Sequence, residues 1–87
     1  MPKFIITYDL MKGKDYDKII KELEKHGGHK ALLSMWFIDL DNTAVDVFDH
    51  FIKFVDSDDR LVVTEFKPAN SKAKAIKGTN DWLAAHR

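Results

Sequence analysis

The stretch Phe4-Ile5-Ile6-Thr7-Tyr8-Asp9-Leu10 constrains the fold more than any other part of the chain. It is rich in β-branched and aromatic residues, the types that suit a pleated strand. Side chains on a strand alternate between faces, so Phe4, Ile6 and Tyr8 share one face and Ile5, Thr7 and Asp9 the other. Both faces are largely apolar, so a sheet built on this strand needs cover on both sides. A chain of 87 residues has material for one domain. The strand therefore predicts dimerisation through a sheet face. It also ends on an acid, a residue type depleted in strands. Asp9 stands where the strand runs into a loop carrying Lys12, Gly13 and Lys14. It reads either as a functional carboxylate or as a turn acid bonding its own backbone.

Behind that loop, Tyr16, Ile19, Ile20 and Leu23 follow the i, i+3, i+4, i+7 spacing of a helix with one buried stripe. Asp15 or a neighbour caps it. Asp15 and Asp17 in the first turn and Lys25 and His26 in the last suit the helix dipole, and Gly27-Gly28 stops the helix. His29 to Leu40 is strand-like but long. It reads as a pair, His29–Leu32 and Met35–Asp39, with a tight bend near Leu33-Ser34; a single bent strand is the alternative. Thr43, with Asp46 three residues on, approximates a capping box for a second helix striped by Ala44, Val47, Phe48, Phe51, Ile52 and Val55. Val45 and Phe54 fall outside that stripe. Asp56-Ser57-Asp58-Asp59 is a turn, Arg60–Phe66 a strand, and Pro68 ends it.

The order is βαββαβ. It predicts an α+β, ferredoxin-like sandwich, a four-stranded antiparallel sheet with two helices on one face. Residues 1–66 form this core and 67–87 a basic C-terminal extension, part of the same domain or a tail that docks on a dimer partner. In the extension, Ile76 is the apolar anchor, a short fifth strand falls near Ala73–Lys77, and Thr79 caps a last helix holding Trp82 and Leu83.

Charge separates the same two parts. Residues 1–66 carry 13 acidic and 9 basic side chains, and residues 67–87 carry Lys67, Lys72, Lys74, Lys77 and Arg87 against Asp81. A basic tail on an acidic body docks on a twin subunit, meets phosphate, or is simply solvated. The pI near 6.9 is low for a committed nucleic-acid binder. With no cysteine there is no disulfide and no thiolate metal site. The N-terminus runs straight into a strand, which predicts no secretory leader, and no apolar run approaches the ~20 residues of a membrane span. Together these predict a cytoplasmic protein.

His26-Gly27-Gly28-His29 places two histidines across a turn, too few for a metal site without further ligands. With His50 and His86 they read as surface residues. No serine has a histidine partner suited to nucleophilic catalysis, and Gly13 alone makes no phosphate loop. Trp36 and Phe37 alternate faces, so one is core and the other is either interface or a stacking platform for bases.

Tyr8-Asp9-Leu10, the helix closing on Gly27-Gly28, and Ser34-Met35-Trp36-Phe37 together resemble a CRISPR-associated pattern. It is that of the small second CRISPR-associated proteins, the integrase partners with a ferredoxin-like fold. Their stand-alone relatives, often labelled SinR-like, are closer still. They share the Asp56-Ser57-Asp58-Asp59-Arg60-Leu61 turn into the fourth strand and a late pair like Trp82-Leu83. The chain departs from the pattern in three places. Leu32-Leu33 precede Ser34 where the family has Gln, Phe37-Ile38 follow Trp36 where it has Glu, and Lys12 and Lys14 replace arginines. The resemblance implies a homodimer with packed sheet faces and Asp9 of each subunit near the two-fold axis. There the pair would hold a divalent metal for phosphodiester cleavage. Two carboxylates ~5 Å apart repel by roughly 3 kcal/mol at an effective dielectric near 20, which a shared cation such as Mg2+ relieves. Lys12, Lys14, Lys72, Lys74 and Lys77 are the candidate contacts to RNA or DNA. Catalysis has Asp9 alone behind it, so a nucleic-acid-related adaptor or regulator is the first expectation. A Mg2+-dependent endoribonuclease acting on single-stranded RNA is the second.

Overall fold

In the computed structural model, which describes residues 1–10 and 16–87, the chain runs β1 (Lys3–Asp9), α1 (Asp17–Lys25), β2 (His29–Leu32), β3 (Met35–Asp39), α2 (Ala44–Phe51), β4 (Arg60–Phe66) and α3 (Thr79–Ala85). Short 3-10 turns follow α2 at Ile52–Phe54 and β4 at Pro68–Asn70. The strands form one antiparallel sheet in the order β2-β3-β1-β4, the ferredoxin-like arrangement. Leu33-Ser34 is the bend between two paired strands, so His29–Asp39 is a hairpin and not one bent strand. Asp15, Lys12 and Lys14 lie outside the described residues.

The alternation along β1 sets the two layers. Phe4, Ile6 and Tyr8 are buried with Trp36 and Ile38 beneath Ile19 and Leu23 of α1 and Val47 and Phe51 of α2. The Trp36 indole N–H donates to the Tyr8 hydroxyl at 3.2 Å inside this layer, and burial raises the Tyr8 pKa. Phe54, set outside the helical stripe by its spacing, also packs here, because the chain tightens to a 3-10 turn at Ile52 and carries it inward. Thr43 Oγ1 accepts from the Asp46 N–H at 3.1 Å, the expected cap of α2. Gly27 takes φ +77° at the end of α1. A side chain at Gly28 would meet the Leu23 carbonyl oxygen at 2.9 Å and the Trp36 ring at 3.2 Å. The glycine pair thus turns the chain and lets it pass directly over the core.

Part of the second face is covered from within the chain. Ile5 pairs with Phe37 and Lys3 with Phe66, which puts both aromatics on the side away from α1 and α2. There Leu83 is buried with Ala31 and Phe37, and Ile5, Met35, Phe66, Ala73 and Trp82 pack around them. Phe37 lies 5.0 Å from Phe66 and 5.5 Å from Trp82 between ring centroids. The apolar demand of this face, read above as a call for a second copy, is met in part by α3.

Three expectations for the extension are corrected. Residues 73–77 form no strand; the Ile76 N–H donates to the Ala31 carbonyl at 2.9 Å beside β2. Ile76 is 39% exposed and is no anchor; Trp82 and Leu83 are. Gly78, at φ +93°, occupies the cap position of α3. Thr79 is the first helical residue, and its hydroxyl turns back to donate to the Ile76 carbonyl at 2.6 Å.

Candidate functional site

Beyond the reach of α3, the second face stays open at one end. Register pairs Thr7 with Val62 and Asp9 with Arg60, so these four side chains form two adjacent rows across β1 and β4. Val62 is 56% exposed. The Asp9 and Arg60 side chains are 71% and 78% exposed, with Asp9 Oδ2 3.7 Å from the guanidinium. A pair so open to water contributes between 0 and about 1 kcal/mol, so this ion pair does little to hold Asp9 in place. The turn-acid alternative would place its bond in the loop after Leu10, outside the described residues. Among the described residues β4 is an edge strand, and an edge strand is a template for pairing with another chain.

The proposed nucleic-acid contacts divide. Lys12 and Lys14 fall outside the described residues. Lys72, Lys74 and Lys77 are exposed along the segment that leads into α3, and no acid lies between Lys67 and Asn80. The stacking-platform reading of Trp36 and Phe37 fails. Both are buried, Trp36 under α1 and α2 and Phe37 under α3, so neither offers a ring to a base.

A second constellation joins residues that the sequence keeps far apart. Glu22 on α1 and His26 at its C-terminal cap stand four residues apart and so share a face, and α2 brings His50 up to them. Glu22 Oε2 accepts from His26 Nε2 at 2.9 Å and from His50 Nε2 at 2.6 Å. The Glu22 side chain is only 11% exposed, and a buried carboxylate is tolerated only when hydrogen-bonded or paired. The His50 bond, helped by that of His26, holds the Glu22 carboxyl below its usual range against the opposing effect of partial burial. The His26 and His50 rings meet edge to face at 5.3 Å, and His50 packs on Phe51 and Phe54 at 5.0 and 5.4 Å. A cleft of about 190 Å³ opens beside them, with Asn42 and Asp46 also on its walls.

The remaining histidines are not free surface groups either. His86 stacks on Trp82 at 3.9 Å. His29 Nε2 lies 2.9 Å from Thr79 Oγ1. That hydroxyl spends its one proton on the Ile76 carbonyl, so it accepts here and His29 Nε2 carries the proton. This bond ties β2 to the start of α3, and burial lowers the His29 pKa.

Among the described residues, two groups bring candidate metal ligands within 4.8 Å of one another: Glu22, His26 and His50, and the exposed turn acids Asp56, Asp58 and Asp59. In the turn, Asp59 Oδ2 accepts from the Asp56 N–H at 2.7 Å, the ordinary work of a turn carboxylate. No helix among the described residues is long and apolar enough to cross a membrane. No protein-family model and no solved structure matches the chain.

Proposed function

We propose that the protein is a homodimeric adaptor of a nucleic-acid-related process, two copies meeting over the open end of the second sheet face. The observation that carries this reading is the exposed Val62, paired across the sheet with Thr7 on the edge strand β4. A second copy laid there would bury Val62 and bring the two Asp9–Arg60 pairs close together. The exposed Lys72, Lys74 and Lys77 then offer a basic stretch on each copy to a phosphate backbone. Metal-dependent cleavage of single-stranded RNA is the second reading. It is favoured by the exposed Asp9 carboxylate at this same end, where two copies would share a Mg2+ ion.

Gel-shift titration with single-stranded RNA and duplex DNA tests the adaptor reading. Binding should weaken steeply with salt, by ~0.7–0.9 log units per log unit of salt for each phosphate contact. The combined Lys72→Ala, Lys74→Ala and Lys77→Ala variant should lose most of it. Equal binding by wild type and variant, or none by either, contradicts the reading. For cleavage, Mg2+-dependent activity that Asp9→Ala abolishes supports the second reading, and equal activity in both removes it.

A further inference from the structure

The geometry points to a Zn2+ site formed by Glu22, His26 and His50, with an open coordination position facing the α1–α2 cleft. Two imidazoles and a carboxylate are a nitrogen and oxygen donor set that suits Zn2+, whereas Mg2+ and Ca2+ prefer oxygen alone. The two histidine nitrogens converge on one carboxylate oxygen, at 2.9 and 2.6 Å. Ligands on a tetrahedral Zn2+ with bonds of ~2.0–2.1 Å stand ~3.3 Å apart. Each histidine nitrogen therefore needs to draw back from the Glu22 oxygen by well under 1 Å, the three ligand atoms already lie within 4.8 Å of one another, and the freedom to adjust exists, since His50 is 41% and His26 34% exposed.

Shifting the imidazole proton from Nε2 to Nδ1 turns each bond donor into a lone pair aimed at the same point. The carboxylate, already ionised and largely shielded from water, supplies the charge. Three protein ligands with a fourth position left to water is the pattern of open rather than closed Zn2+ sites. The cleft beside His26 and His50, walled also by Asn42 and Asp46, is where that position falls. Because the ligands come from two helices, the ion would also clamp α1 to α2. This site lies on the helix face, apart from Asp9 and from the open end of the sheet.

Calorimetric titration of chelator-treated, full-length protein with ZnCl2 tests the assignment, together with visible absorption of the Co2+ form. One Zn2+ should bind per chain, and the Co2+ protein should show the intense bands of a four-coordinate site. His50→Ala should weaken Zn2+ binding by ~10-fold or more, Glu22→Gln likewise, and His29→Ala should leave it unchanged. Should Glu22→Gln fail to fold by circular dichroism, His50→Ala, at a half-exposed position, and the wild-type Co2+ spectrum still decide. The assignment is overturned by binding that survives His50→Ala, by binding lost on mutating Asp56, Asp58 and Asp59, or by wild type that binds no Zn2+.

Discussion

The two faces of the sheet are closed by different means. On one, α1 and α2 lay long apolar stripes over Phe4, Ile6, Tyr8, Trp36 and Ile38, and the result is a continuous buried layer. On the other, the seven-residue α3 seals a patch around Phe37 and stops, leaving Val62, Asp9 and Arg60 exposed. The first face is a core in the full sense, and the second is a core for half its length and a surface for the rest. The difference teaches that an apolar strand face demands cover without specifying its source, and here the chain's own end supplies part of it.

The largest expected effect breaks the helix face. Phe51 is fully buried beneath the sheet, and Phe51→Ala should cost ~3–5 kcal/mol in urea unfolding. A cost under ~1 kcal/mol would mean that this layer is not the principal core. Leu83→Ala acts on the smaller cluster and should cost ~2–3 kcal/mol. Each face holds one of the two tryptophans, Trp36 and Trp82, so single-tryptophan variants made with Trp82→Phe and Trp36→Phe report them separately. Leu83→Ala should alter the native emission of Trp82 and leave that of Trp36 unchanged; equal changes in both would erase the distinction between the layers.

The smallest effect is the pH response of the α3 attachment. Burial lowers the folded His29 pKa from 6.5, so the unfolded chain is the one that takes up the extra proton as pH falls. Above about pH 6.5 His29 contributes no pH dependence. Below it stability declines until the folded ring also protonates. Thermal melts of wild type against His29→Gln between pH 7.5 and 5 should show this decline in wild type alone, and parallel curves would contradict it.

Much of this fold is legible in local sequence. The strands His29–Leu32, Met35–Asp39 and Arg60–Phe66 and the cap at Thr43 follow from alternation, turn residues and one hydroxyl at the right spacing. What local pattern does not carry is pairing across the chain. Trp82 and Leu83 name no partner in their own neighbourhood, so their docking on Phe37 was hidden while the apolar face that needed them was plain. The Glu22–His26 spacing was visible, but its meaning depended on His50, 28 residues from Glu22 and on another helix. Asp9 was conspicuous as an acid ending a strand, and its place at the open end depended on how far α3 reaches.

Light scattering on protein eluting from gel filtration tests the division of the second face most directly, with wild type compared against Val62→Lys. Val62 is 56% exposed, so the substitution should leave the melting temperature within a few degrees of wild type while placing a charge in the proposed dimer seam. The account predicts a wild-type mass near 20 kDa, twice the 10.1 kDa of one chain, and a monomeric Val62→Lys. A wild type that stays monomeric at micromolar concentration, or a Val62→Lys that remains dimeric, would contradict it.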